Sequence, residues 1–337
     1  MGKRLGLSTL LIFLVFFLPW LWGEPAEAED PIPAETPPAA DSPLESAPTA
    51  TKDSSTMLRI KLGDTVQEMD MATYLLGVVR AEMPAAFQEE ALKAQAVAAR
   101  TYTLYKIEHG GTANHPEADA CDDIHCCKAY LSAEEAAAKW GTSAPAYEEK
   151  IRRAVEETDG LCALYDGKPI LAVFHSSSAG MTQDSAHVWS SSLPYLQSVS
   201  SPEDEKTVPN YNTQVSFSGE ELQKKLKKAL PEAKLGASPS TWFTGIRQED
   251  SGVVTSITVG SVEVSGNRLR TILGLRSPCF TVSFSGEDVV FSVRGYGHGV
   301  GMSQYGANVL ASEGKDFREI LSWYYTGTSV EPYTLSR

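Results

Sequence analysis

Glu82 stands in the run Arg80-Ala81-Glu82-Met83-Pro84, and a lone carboxyl set among apolar neighbours is a group that can carry a proton to or from a substrate. That work requires the proton to stay on near neutral pH, so burial must lift the pKa above the ordinary value of about 4.3. The pattern also has a plainer reading. Pro84 reads as the first residue of a helix, and a carboxylate just before a helix start and close to Arg80 is stabilised in its charged form. A second chemistry is offered by the segment from His115 to Cys127. His115, Cys121 and Cys127 are spaced by six and six, with His125 and Cys126 adjoining, so four nitrogen or sulfur ligands for a tetrahedral zinc fall within thirteen residues. The spacing is not that of a standard zinc finger, and a disulfide between two of the loop cysteines competes with it. A third run sets glycines at 295, 297, 299 and 301 around Tyr296 and His298, a backbone free to adopt positive φ and to approach a ligand closely.

Five cysteines occur, so a fully paired disulfide framework is excluded. Cys162 and Cys279 fall in strand patterns and read as buried fillers. The chain has 337 residues, enough to bury a substantial core, and its formal net charge of −14 argues against nucleic acid as a partner. Lys3 and Arg4 precede an uncharged apolar run from Leu5 to Trp22, an export signal with positive-inside polarity. Ala26-Glu27-Ala28 offers a cleavage site, yet the run is longer than a cleaved signal needs and favours a retained anchor. The expectation is a single N-terminal pass over residues 1–22 in the cell membrane, with the body outside the cytoplasm. Residues 23–56 are rich in Pro, Ala, Glu, Ser and Thr and predict a disordered tether.

The positioning elements follow in residues 57–337. Met57 to Asp70 predicts one or two short strands, Ala72 to Arg80 a short helix, and Pro84 to about Gly110 a long, alanine-rich helix suited to close packing at the centre. Ser132 to Thr158 reads as helical, and Leu161 to Phe174 as a strand pair turning at Asp166-Gly167. A polar turn from His175 to Gly180 follows. Residues 218–231 predict an amphipathic helix, Val253 to Val264 a strand, Leu269 to Leu275 a short helix, and Cys279 to Val293 a hairpin around Gly286. Helices near Ser303–Glu313 and Phe317–Tyr325 close the chain. The fold class is α+β: one mixed domain, or two closely packed lobes, with a substrate groove.

Three segments together resemble the stage II sporulation protein D (SpoIID) family: Tyr74 to Pro84 with Ala91 to Tyr102, Phe174 to Gly180, and Gly295 to Ala307. They occur in the expected order across most of residues 57–330. The resemblance implies a lytic transglycosylase of peptidoglycan, acting on strands already stripped of stem peptides. Its partners would be a wall amidase and a membrane protein of an engulfment complex. Glu82 matches the family's catalytic glutamate, which protonates the leaving glycosidic oxygen and then takes the proton of the sugar's own C6 hydroxyl. One carboxyl group suffices for this, where a hydrolase pairs two. Arg100, Tyr102, Ser177, Gly180, His298, Gln304 and Tyr305 are the candidate substrate-binding residues, with His298 as readily a hydrogen-bonded brace. Some family members carry a His-x5-Cys-x5-Cys zinc loop, which His115, Cys121 and Cys127 match, with Cys126 favoured over His125 as fourth ligand. Such a zinc would be structural, and no cofactor is expected for catalysis. The alternatives are a non-catalytic wall-binding amidase enhancer, which shares the domain, and a zinc-dependent amidase centred on the Cys/His loop and His298.

Overall fold

The computed structural model describes residues 52–112, 114–189 and 192–335. The expected membrane helix, and the tether up to residue 51, lie outside the described residues. No helix among the described residues is long and apolar enough to cross a membrane. Residues 52–56, assigned to the tether from composition, belong to the folded body. Asp53 is buried there, and its amide and that of Lys52 donate to the Asp159 carboxylate at 2.8 and 2.9 Å.

The first lobe opens with an antiparallel hairpin, β1 (Met57–Leu62) and β2 (Thr65–Asp70). Helix α1 (Met71–Glu82) starts where the Asp70 side chain accepts the Thr73 N–H at 2.7 Å. It stops because Met83 precedes a proline and is held extended at φ −123°, ψ 137°. The sequence reading starts the next helix at Pro84, but α2 (Glu89–Glu108) begins only after a turn. As expected, α2 is central. Ala91, Ala94, Ala96, Ala98 and Ala99 are all fully buried, and small side chains let α1 and the neighbouring elements approach closely.

Strand β3 (Ala120–Cys121) joins β1 in parallel and anchors the cysteine loop. The predicted single helical stretch is two helices, α3 (Ala133–Trp140) with a Ser132/Glu135 capping box and α4 (Ala144–Glu156). Strands β4 (Leu161–Tyr165) and β5 (Lys168–Pro169) turn at Asp166 and Gly167, both at positive φ. β6 (Phe174–His175) and the short α5 (Ser185–Val188) complete this part.

A second lobe with its own core follows: β7 (Asn212–Phe217), α6 (Gly219–Ala229), β8 (Phe243–Gln248), β9 (Val254–Val259), β10 (Val262–Ser265), α7 (Gly266–Leu273), β11 (Phe280–Ser285) and β12 (Asp288–Arg294). The sheets run β10-β9-β8 and β11-β12-β7, and Phe291 meets Phe217, Phe243 and Phe280 edge-on between them. On α6, Leu222 and Leu226 are buried and the lysines face outward, as its pattern predicts.

The chain then re-enters the first lobe as β13 (Met302–Ser303), α8 (Gln304–Ser312), α9 (Phe317–Tyr324) and β14 (Ser329–Pro332). β13 pairs in parallel with β6, and β14 pairs with β4. The fold is thus mixed α+β with two lobes, the second inserted between β6 and β13.

Candidate active site

Because Met83-Pro84 ends α1 at Glu82, the glutamate occupies a helix C-terminus, not the helix start expected from sequence. The sign of the local field reverses with it. The carbonyl end of a helix disfavours a negative charge. Arg80, the other group expected to lower the Glu82 pKa, turns away and holds the Glu148 carboxylate through Nε at 2.9 Å and through Nη2. Burial is the largest influence on Glu82 and raises its pKa. The Lys128 ammonium and the Ala129 N–H, which donates to Oε1 at 3.0 Å, act against it without cancelling it. The residue retains partial access to solvent.

The long helix and the returning chain hold this position from beneath. Gln304, at the start of α8, donates through Nε2 to the Glu82 carbonyl at 2.9 Å and to Gln95 Oε1 at 3.2 Å. Gln95 is fully buried on α2, the one amide on an apolar face, and its Nε2 has no partner among the described residues. Lys128 closes the other side. Its Nζ lies 4.2 Å from the centre of the Tyr102 ring and 3.7 Å from that of Phe174, and burial lowers its pKa to about 8. The Tyr102 hydroxyl donates to the Cys126 carbonyl at 3.3 Å.

Of the sequence candidates, Glu82, Tyr102 and Gln304 are brought together. Arg100 is not among them. It is fully buried, gripping Asp53 through Nε at 2.9 Å and the Leu161 carbonyl through Nη1 at 3.1 Å. Its partner went unread because Asp53 looked like tether. His298 is a brace. Its Nδ1 accepts the Val300 N–H and its Nε2 meets the Phe174 carbonyl, both at 3.1 Å, and burial keeps the ring neutral. His175 is held likewise, between the Val300 carbonyl at 3.2 Å and Ser178 Oγ at 2.8 Å, with burial lowering its pKa to about 4.

Ser177 pairs its backbone with Tyr296, and its buried hydroxyl has no partner among the described residues. Gly180 sits at φ +99° and accepts the Ser201 N–H. Tyr305 packs edge-on against Phe87 with centroids 4.9 Å apart, and its N–H donates to the Ser176 carbonyl. Sequence reasoning missed Lys128 and Gln95. Gln95 left a signal, an amide among alanines on a buried helix, whereas Lys128 sits in a loop without periodicity.

The cysteine loop supplies a cluster of three, not four. The sulfurs of Cys121, Cys126 and Cys127 lie within 4.8 Å of one another, those of Cys126 and Cys127 3.8 Å apart. His115 stays outside this group, with Nδ1 3.9 Å from a Glu117 carboxylate oxygen, and His125 is exposed. All five cysteines are free thiols, and Cys162 and Cys279 are buried as expected.

The family model for stage II sporulation protein SpoIID matches residues 61–165, the stretch that holds Glu82, Gln95, Tyr102 and the cysteine loop. Over 266 residues the chain is 38% identical to stage II sporulation protein D of Bacillus subtilis (strain 168), covering 79% of this chain and 76% of that one. It is 36% identical to the same protein of Bacillus amyloliquefaciens, with 79% and 75% covered. The chain belongs to the stage II sporulation protein D family. It is also 29% identical to the amidase enhancer of Bacillus subtilis, over 77% of this chain and 40% of that protein. The matched stretch meets the Gln304 segment at the end of α1, where Gln304 Nε2 donates to the Glu82 carbonyl.

Proposed function

We propose that this SpoIID-family chain is a lytic transglycosylase that cleaves the bond between N-acetylmuramic acid and N-acetylglucosamine in peptidoglycan, leaving a 1,6-anhydro end. One observation carries the reading: Glu82 combines partial solvent access with a pKa raised by burial, so it holds to higher pH than a free carboxyl the proton that a glycosidic oxygen would receive. The groups that set its acidity are burial, Lys128 and the Ala129 amide, none of them a second carboxylate. A single acid suits a reaction in which the substrate's own hydroxyl replaces water. After proton transfer, the Ala129 N–H and the Lys128 ammonium stabilise the carboxylate, which then takes the C6 hydroxyl proton.

Cys121, Cys126 and Cys127 would hold a zinc, which a fourth ligand from outside this cluster would have to close for the site to be structural. The three-sulfur spacing fits, since tetrahedral sulfur ligands at about 2.3 Å from zinc lie about 3.8 Å apart. Its positive charge would offset the repulsion among ionised thiols and fix the loop that delivers Lys128 and Ala129. We place the body outside the cytoplasm, held by a membrane segment in residues 1–22, with peptide-stripped glycan strands, a wall amidase and a membrane protein as partners. A second reading, non-catalytic stimulation of an amidase, is favoured by the likeness to the amidase enhancer.

The test is to incubate the protein with purified glycan strands, with and without stem peptides, and to identify products by mass spectrometry. Anhydro-ended products that disappear with Glu82→Gln support the transglycosylase. Reducing ends point to a hydrolase, and no cleavage beside stimulated amidase activity points to the enhancer.

A further inference from the structure

Among the described residues, Lys128 is a charged group at the site without a hydrogen-bonded counterpart. It is nine-tenths buried, yet its Nζ donates no hydrogen bond among the described residues. Two aromatic faces, those of Tyr102 and Phe174, flank it and repay only part of the hydration it has lost. The nearby acid offers no lasting counter-ion either, because Glu82 must carry its proton to act. An ammonium with free N–H groups, set in a low-dielectric aromatic cradle beside the acid, is poised for an anionic oxygen brought by the ligand.

We propose that Lys128 is a substrate-binding residue that takes a carboxylate oxygen of the glycan beside the bond facing Glu82. This rests on the glycan reading above. The glycan strand carries one carboxylate of its own, on the lactyl ether of each muramyl residue, and it is free only where no peptide amidates it. Lys128 therefore acts as a reader of that carboxylate. A neutral amide in the same place leaves the ammonium unpaired and brings extra bulk into a closed corner. Tyr102 serves by this account as one wall of the cation's cradle, so the face turned toward Lys128 is not available for stacking on a sugar.

The experiment measures binding in a background that does not turn over. Full-length protein carrying Glu82→Gln is titrated calorimetrically with a muramyl-containing tetrasaccharide bearing free lactyl carboxylates, and with the same tetrasaccharide in which they are amidated. The free form binds at least tenfold more tightly. Adding Lys128→Met abolishes that preference, and Lys128→Arg retains it. Equal affinity for the two sugars, no binding of either, or a preference that survives Lys128→Met in a folded protein overturns the proposal. If Lys128→Met does not fold, the comparison of the two sugars on the Glu82→Gln protein alone decides. Cleavage by the unsubstituted protein is scored separately. Cutting without carboxylate preference sinks the role of Lys128 and leaves the transglycosylase standing, and preference without cutting does the reverse.

Discussion

The backbone N–H of Ala129 donates to Oε1 of Glu82 at 3.0 Å, so the acid is gripped by the loop that begins at the cysteine cluster. The grip stabilises the carboxylate, while burial favours the protonated form and prevails. Glu82→Gln keeps the shape and removes the proton traffic, and cleavage should fall on the order of 10³-fold, within the usual worth of a general acid. The sign of the pH effect follows from a raised pKa. Activity is present while the carboxyl holds its proton and declines as pH rises through that raised value.

Stability carries the same signature. A carboxyl whose pKa is raised by folding contributes stability that is full below its unfolded value of about 4.3 and is lost as pH rises through the folded one. Glu82→Gln has no such loss. The melting temperature of the variant relative to the parent should therefore be higher at pH 7.5 than at pH 4. A constant difference across that range would show that Glu82 ionises as freely in the fold as out of it.

Arg100 gives the opposite kind of prediction. Arg100→Met leaves the Asp53 carboxylate buried without its partner and should cost about 3–5 kcal/mol. Adding Asp53→Leu should restore much of that, because a buried pair replaced by apolar groups is often nearly neutral. Turnover per folded molecule should stay at the parent level. Urea denaturation of the single and double variants, beside turnover at equal folded concentration, separates this from a role in holding substrate.

The Arg100 case also shows where the sequence was legible. Periodicity placed β1 and β2, the alanine-rich α2, the Asp166-Gly167 turn, the amphipathic α6 and the β11–β12 hairpin, because each carries its own local signal. It erred at Pro84, where proline at a helix start and proline that stops the preceding helix look alike in sequence. Only the second arrangement puts Glu82 at a carbonyl end. It did not foresee β7 or β14, whose pairing partners lie far along the chain, nor β8, which pairs with the adjacent β9 through a register irregular at Arg247. The site was half legible. Motif resemblance named Glu82, Tyr102 and Gln304, which the fold brings together, while Arg100 is held by Asp53, a contact that no spacing encodes, and His115 lies outside the sulfur cluster.

Acid should loosen the turn between the two motifs. His175 is fully enclosed and neutral, with a pKa lowered to about 4 from an unfolded value of about 6.5. Its contribution is intact above pH 6.5 and is lost progressively as pH falls toward 4, at most about 3 kcal/mol in all. His298, braced on Phe174 and lowered in the same direction, adds to this. Melting temperature should fall between pH 6.5 and 5, and the ring-proton NMR signals of both histidines should show no titration above pH 5. A histidine signal from this pair moving with a midpoint near 6.5 would contradict the burial that holds the turn.

Gly301 tests whether the close approach of β13 to β6 positions the site. The residue has φ +73°, and a Cβ there would lie 2.1 Å from the Val173 carbonyl oxygen, a backbone atom that cannot yield without parting the two strands. Gly286 has a similar φ of +64° in the β11–β12 turn, but a Cβ there meets nothing within 4 Å. Gly286→Ala thus measures the conformational cost alone, about 1–2 kcal/mol. Gly301→Ala adds the collision and should cost about 3 kcal/mol or more. The two should also differ in function. Displacing β13 moves Gln304, and with it the amide that holds the Glu82 carbonyl, so kcat should fall for Gly301→Ala even where the protein is fully folded. Gly286→Ala, in the second lobe, should leave kcat at the parent value. Equal stability losses in the two variants would mean that the strands tolerate separation, and an unchanged kcat in Gly301→Ala would show that Gln304 is positioned without β13.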